Sequence, residues 1–293
     1  MVEAVEKKLP ERTRIANPAA LVRATLVRQV RGTFNDLAAG ERPVVPSDDA
    51  LFARDTPIRL VHADVVAMMV GGMTALLLQM LHPHALRGVL DYSDFRTDMH
   101  GRLRRTARFI AVTTYGARDE ALSAIERVNR IHRTVKGALP DGTRYSATDP
   151  SVLAWVHLAE ASSFLAAHLR YVRPDMPPAD QDRYFAQFAV IARLLHADPA
   201  PESRREAADL MLGMRADLEA GAETQEIARL ILDQRVPGAA ATVQPFLAAA
   251  AVDLLPPFAR TMLKLPAPAT HTVPARVATR ALAATLRWAF RRR

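Results

Sequence analysis

The sequence predicts an all-α protein built as a single large helical domain, and three observations lead there. Apolar residues recur at helical spacing along most of the 293 residues, with no alternating strand of convincing length and no internal repeat. Ala, Leu and Arg are abundant, while aromatic residues make up only 6%. Twenty prolines against 12 glycines fall mainly at candidate helix ends. A hydrophobic share of 49% excludes wholesale disorder, and the chain is long enough to bury a substantial core.

The elements follow in order. Residues 1–16 are polar and read as an N-terminal arm. Asn17-Pro18 opens a first helix, a capping Asn followed by Pro in the first turn, which runs to about Gly40. Glu41 to Asp55, rich in Pro and Asp, is a connector. Ile58 to Leu81 reads as the most hydrophobic helix. Gly71-Gly72 in its middle costs about 1–2 kcal/mol relative to alanines, so something packs closely on that backbone. Another helix is the plainer occupant and a flat ligand the alternative. His82-Pro83-His84 ends this helix, with the two imidazoles diverging. Ser93 caps a helix that carries Arg102 and stops at the Tyr115-Gly116 break. Asp119 to Val135 forms the next helix, ended by Gly137, and Pro140-Asp141-Gly142 is a turn. Thr148-Asp149-Pro150 starts a helix reaching about Val172, which Pro174 to Pro178 breaks. Further helices are expected near 179–196, 202–219, 224–234, 242–255 and 275–290, the last after a Leu265–Pro274 linker. The resulting plan is an arm at 1–16, a helical domain at 17–260, and a linker with a basic helix at 261–293.

Composition removes several function classes. With no cysteine, disulfides, Cys-ligated zinc, iron–sulfur clusters and a thiolate-ligated haem are excluded. Net charge is +8 and the sequence pI about 10.4. The excess is arginine spread along helices rather than basic runs interleaved with aromatics, so solvated helix faces are expected and nucleic acid is not the favoured partner. A helical nucleic-acid-binding regulator stays as the rival that the pI prompts. The N-terminus MVEAVEKKLPERTR lacks the apolar core of a secretory signal. Val65 to Met80 is shorter than the roughly 20 residues of a membrane span and contains Gly71, Gly72 and Gln79. A buried core helix and a cytoplasmic protein are expected. In the last helix Val277, Ala281, Ala284 and Trp288 form a stripe with Arg276, Arg280, Arg287 and Arg291 beside it. That helix either docks on the domain with a basic outer edge or makes weak contact with an anionic membrane.

The sequence contains no GxGxxG, Walker-type loop, HExxH, GxSxG or pair of ExxH elements. His157 and Glu160 stand three apart on a helix, where a shared metal competes with a plain surface or capping pair. The best candidate site is residues 102–137. Arg102 and Thr106 lie one turn apart with Arg105 beside them, and Ile125, Val128, His132 and Val135 share one helix face. A histidine there is either a ligand or a hydrogen-bonded core residue, and an i,i+4 pair with Asp98 is the plainer role for Arg102. Arg104 and Arg108 are expected to face solvent, and Trp155 to be core.

Four ordered blocks carry a resemblance: LLQMLHPHALRGV (77–89), RLRRT (102–106), VNRIHRTVKG (128–137) and YSATDPSVLAWVH (145–157). Over roughly residues 20–255 the chain resembles the MpaB / rubber oxygenase (latex-clearing protein) catalytic-domain family. The resemblance implies a globin-like, all-α core holding haem b. It makes His132 the axial iron ligand and Arg102, Arg105 and Thr106 the polar group one helix earlier, near the haem. Lys136 matches a basic residue one turn past the ligand. With Arg102 and Arg105, Arg130 and Lys136 are local cations for the haem propionates. His157 is the fallback ligand. Two departures stand out. Arg105 replaces the lysine that occupies the distal iron position in rubber oxygenases, and arginine is a poor ligand. No glutamate lies between Arg54 and Asp119, where the family carries its base. Asp91, Asp94, Asp98, His82 and His84 are the candidate replacements. The resemblance therefore implies a haem-dependent oxygenase using dioxygen on a hydrophobic small molecule, smaller than polyisoprene. The alternative is a non-catalytic haem- or lipid-binding protein on the same scaffold.

Overall fold

The computed structural model describes residues 24, 25, 27, 41–234, 244–266 and 272–290. The expected arm at 1–16 and most of the first helix, 17–40, lie outside the described residues. The rest is all-α apart from one small hairpin. In chain order the helices are α1 (Pro57–Val61), α2 (Val65–Gln79), α3 (Pro83–Tyr92), α4 (Met99–Tyr115) and α5 (Arg118–Thr134). After the hairpin come α6 (Pro150–Tyr171), α7 (Pro178–Leu194), α8 (Arg204–Gly213), a 3-10 turn at Met214–Asp217, and α9 (Ala222–Leu232). The chain ends with α10 (Gln244–Leu254), α11 (Pro257–Met262) and α12 (Thr272–Phe290).

The central pair is α2 packed along α6. Asp149 caps α6 by accepting from the Ser151 amide, and Pro150 fills its first turn. Trp155, Leu158, Leu77, Leu78 and Tyr184 are among the fully buried side chains of the core. By length and composition α6 is apolar enough to cross a membrane, but 72% of its apolar window is buried inside the domain. Around this pair, α10 and α12 cover α2, α4 pairs with α5, and α1 lies on α7.

Gly71 and Gly72 divide the two readings of their shared spacing. A Cβ on Gly71 would stand 2.9 Å from the Phe164 ring and 3.0 Å from its Cα, so Gly71 is where α2 and α6 touch. A Cβ on Gly72 would meet only the Phe164 ring edge at 3.8 Å, and Gly72 lines a cavity. Gly71→Ala is accordingly expected to lower stability by about 1–3 kcal/mol through overpacking. Gly72→Ala should change it by no more than about 1 kcal/mol, in the stabilising direction that helix propensity sets. Urea unfolding of both variants checks this, and equal losses would contradict the packing.

Several boundaries differ from expectation, each for a local reason. Ile58–Leu81 is two helices, because Asp64 turns its carboxylate onto the Ala67 amide and starts α2 afresh. Ser93 closes α3 instead of opening α4. Asp98 caps α4 by accepting from the Gly101 amide, and a Cβ on Gly101 would lie 2.0 Å from that carboxylate. His82 is the N-cap of α3, and its ring meets that of His84 at 5.4 Å, edge to face, so the two do not diverge. Gly137 is not a helix stop but sits in β1 (Lys136–Ala138), which pairs antiparallel with β2 (Arg144–Ser146), Gly137 opposite Tyr145. α11 and the 3-10 turn were not expected from the pattern.

The last helix docks on the domain, but two of the arginines expected on its outer edge turn inward. α12 docks on α10, α2 and α6 through buried Thr279 and Ala283, with Arg276 on Asp253 at 2.6 Å and Arg287 on Asp64 at 2.7 Å. Arg276 and Arg287 reach toward the docked side, while Arg280 and the apolar stripe are exposed.

Candidate functional site

Helices α2, α4, α5 and α6 enclose a cavity of about 1000 Å³, the upper end of the size range for small-molecule sites. Its wall is mainly apolar. Met68, Met69, Met73 and Leu76 come from α2, Phe109 and Ile110 from α4, Val128 and Ile131 from α5, and Val156 and Phe164 from α6. Methionines suit such a wall because unbranched thioethers adapt to irregular ligands.

Polar groups also reach this lining, and one set spans three helices: Arg102 from α4, His132 from α5, and His157 with Glu160 from α6. His157 Nδ1 stands 4.0 Å from Glu160 Oε2. The four groups feel each other's charge. Burial pushes the His157 imidazole down to about 4, and the neighbouring His132 adds to the shift. Burial also lowers the pKa of His132, with the Arg102 guanidinium acting in the same direction. Both rings are therefore neutral near pH 7, with a lone pair to give. Arg102 is brought down to about 10 by burial and by Arg105. Glu160 goes the other way: burial raises it to about 7, although Arg102 opposes the rise. A carboxyl poised near neutrality can hold or release a proton under ordinary conditions.

Nδ1 of His132 and Nδ1 of His157 are both buried without a hydrogen-bond partner. An unpaired buried polar atom costs about 1–3 kcal/mol, so both rings keep hydrogen-bonding capacity that the polypeptide leaves unused. Among the described residues no group of three or more His, Asp or Glu side chains could hold a bare metal ion. A macrocyclic cofactor that brings most of its own metal donors would need only one imidazole, which His132 or His157 could supply. The residues present fit haem, with Arg102 and Arg105 on the same cavity wall as cations for its carboxylates.

The sequence-predicted residues divide accordingly. Arg102, Arg105, Thr106, His132 and the fallback His157 all line this one cavity, as do Val128 and Val135 from the His132 face. Arg130 and Lys136 do not. Arg130 is exposed, 3.9 Å from Glu126, because it lies two residues from His132 and so on another side of α5. Lys136 is beyond the end of α5, in β1, where helical spacing from His132 no longer applies, and it is exposed. Of the candidate replacements for the base, Asp94 and His84 reach the cavity lining. Asp91 is held by Arg87 and the Tyr145 hydroxyl, Asp98 caps α4 beside Arg105, and His82 caps α3. His157 and Glu160, read as a surface or capping pair or a shared metal site, instead lie against the cavity, His157 buried and Glu160 partly buried. A carboxylate in the middle of an apolar helix was the signal that could have found Glu160.

The family model described as ER-bound oxygenase mpaB/B'/Rubber oxygenase, catalytic domain, matches residues 59–288. No curated protein and no solved structure matches the chain.

Proposed function

Because this chain belongs to the ER-bound oxygenase mpaB/B'/rubber oxygenase catalytic-domain family and is an oxygenase, we propose that its cavity holds haem b on His132 and oxidises a hydrophobic small molecule. The observation that carries the reading is the neutral His132 imidazole, its Nδ1 buried and unpartnered, on an apolar wall beside Arg102.

When bound, the haem supplies the redox-active iron at which dioxygen is used. The chain's own residues do the rest. His132 anchors the iron from α5. Arg102 and Arg105 neutralise the haem carboxylates, and Arg102 is held over the Phe95 ring at 5.9 Å. Thr106 contributes a hydroxyl to the same wall. The α2 methionines and Phe164 exclude water and orient an apolar carbon skeleton by contact alone. Glu160 takes the role of proton acceptor at its carboxylate, a substitute for the base the family carries upstream of Arg102. His157, one turn before Glu160 with Nδ1 4.0 Å from its carboxylate, lines the same wall and is a supporting residue in this reading, with ligation as its fallback role.

Oxygen-electrode measurements on haem-loaded protein test the reading against the non-catalytic binder. With a panel of apolar small molecules, an oxygenase consumes dioxygen only when a substrate is present. A protein that binds such compounds with a shift of its Soret band but never consumes dioxygen is a carrier.

A further inference from the structure

The outer face of α12 has a pattern the oxygenase reading does not use. Val273, Val277, Ala281, Ala284 and Trp288 fall within one helical stripe and are all exposed, Val277 at 61% and Trp288 at 45%. The opposite face is buried through Thr279 and Ala283. We propose that this stripe seats the domain on an anionic phospholipid surface.

Three observations select that occupant. First, α12 contains no acidic residue, and the sequence continues as Arg291-Arg292-Arg293. The two carboxylates that α12 meets, Asp253 and Asp64, have side-chain exposures of only 1% and 6%. Their charge is already matched by Arg170, Arg276 and Arg287, so exposed Arg280 gives this surface a positive excess. Second, the stripe combines a tryptophan near one end with valines and alanines, a composition suited to the headgroup boundary. Third, a second copy is a poor fit. Five side chains fall far short of the roughly 20–30 residues a side of a stable dimer, and a self-contact would oppose like charges. The placement also connects to the cavity. Arg287 holds Asp64, the cap of α2, and the next residue, Val65, lines the cavity wall. The bilayer contact itself does not depend on the haem or on the reaction.

The test is co-sedimentation of the full chain with phosphatidylcholine vesicles containing phosphatidylglycerol, and with phosphatidylcholine vesicles alone. Binding to the anionic vesicles is expected, weakening with added salt and falling about tenfold or more in Val277→Asp and Arg280→Glu. Both positions are exposed, so circular dichroism should stay unchanged. Of the two tryptophans, Trp155 is fully buried, so iodide quenching in lipid-free protein reads Trp288. Quenching that vesicles suppress is the expected result. The proposal falls if the full chain does not bind anionic vesicles, or if Val277→Asp binds as well as the parent. It also falls if Trp288 is shielded without lipid, or if sedimentation shows a dimer that Val277→Asp dissolves.

Discussion

His132→Ala is expected to give a folded protein that no longer retains haem. An axial imidazole is the one coordinate bond between polypeptide and iron, whereas loss of a supporting group usually costs about 10- to 100-fold in affinity. His132 lines the cavity from α5 with a neutral ring, and it is only half-buried among Val128, Val135 and Arg102, so truncation removes little core. The helical circular-dichroism signal should persist while the Soret band disappears. His157→Ala is the control. It deletes a ring buried at 7% exposure that contacts Phe188 at 5.9 Å, so some stability should be lost, but the Soret band should remain, shifted at most. A normal spectrum in His132→Ala together with a colourless His157→Ala would move the ligand to α6.

Glu160→Gln has the second largest expected effect. The substitution keeps the size of the side chain and removes its ability to accept a proton. Positioned general bases contribute about 10²- to 10⁴-fold, so turnover should fall by at least about 100-fold with haem content unchanged. The pH dependence has a definite sign. Burial holds the Glu160 carboxyl protonated up to about 7, and only the carboxylate accepts a proton. Parent turnover should therefore rise as pH passes through about 7, and the residual turnover of the variant should lack that limb. Stopped assays across this range check both points. Unchanged turnover in Glu160→Gln would return the role to Asp94 or His84, which also line the cavity.

How far the fold was legible depended on whether the deciding interaction was local. The start of α6 was readable because Asp149 and Pro150 act within a single turn. The all-α class followed from periodicity, composition and proline placement, all of them local signals. The division between α1 and α2 was hidden because Ile58 to Leu81 is apolar on both sides of the break. The only sign was Asp64, whose capping role depends on the path of the backbone. Ser93 read as the cap of α4 because it precedes the helical pattern. Contact with the Gly101 amide, in a space no Cβ could share, decided for Asp98. Spacing placed His132 on an apolar face, and the family resemblance tied it to Arg102 across the Tyr115-Gly116 break. Neither could bring Glu160 to them, because α6 meets α4 and α5 only in the folded chain. Lys136 shows the opposite error: helical spacing was extended one residue past the point where α5 gives way to β1.

The central claim is that this cavity is a haem site, and the absorption spectrum of the purified full chain tests it most directly. Protein from a haem-sufficient host, or protein supplied with hemin, should show a Soret band and about one iron per chain, bound through a single axial imidazole. A chain that stays colourless with haem in excess and leaves added hemin unbound would contradict the account.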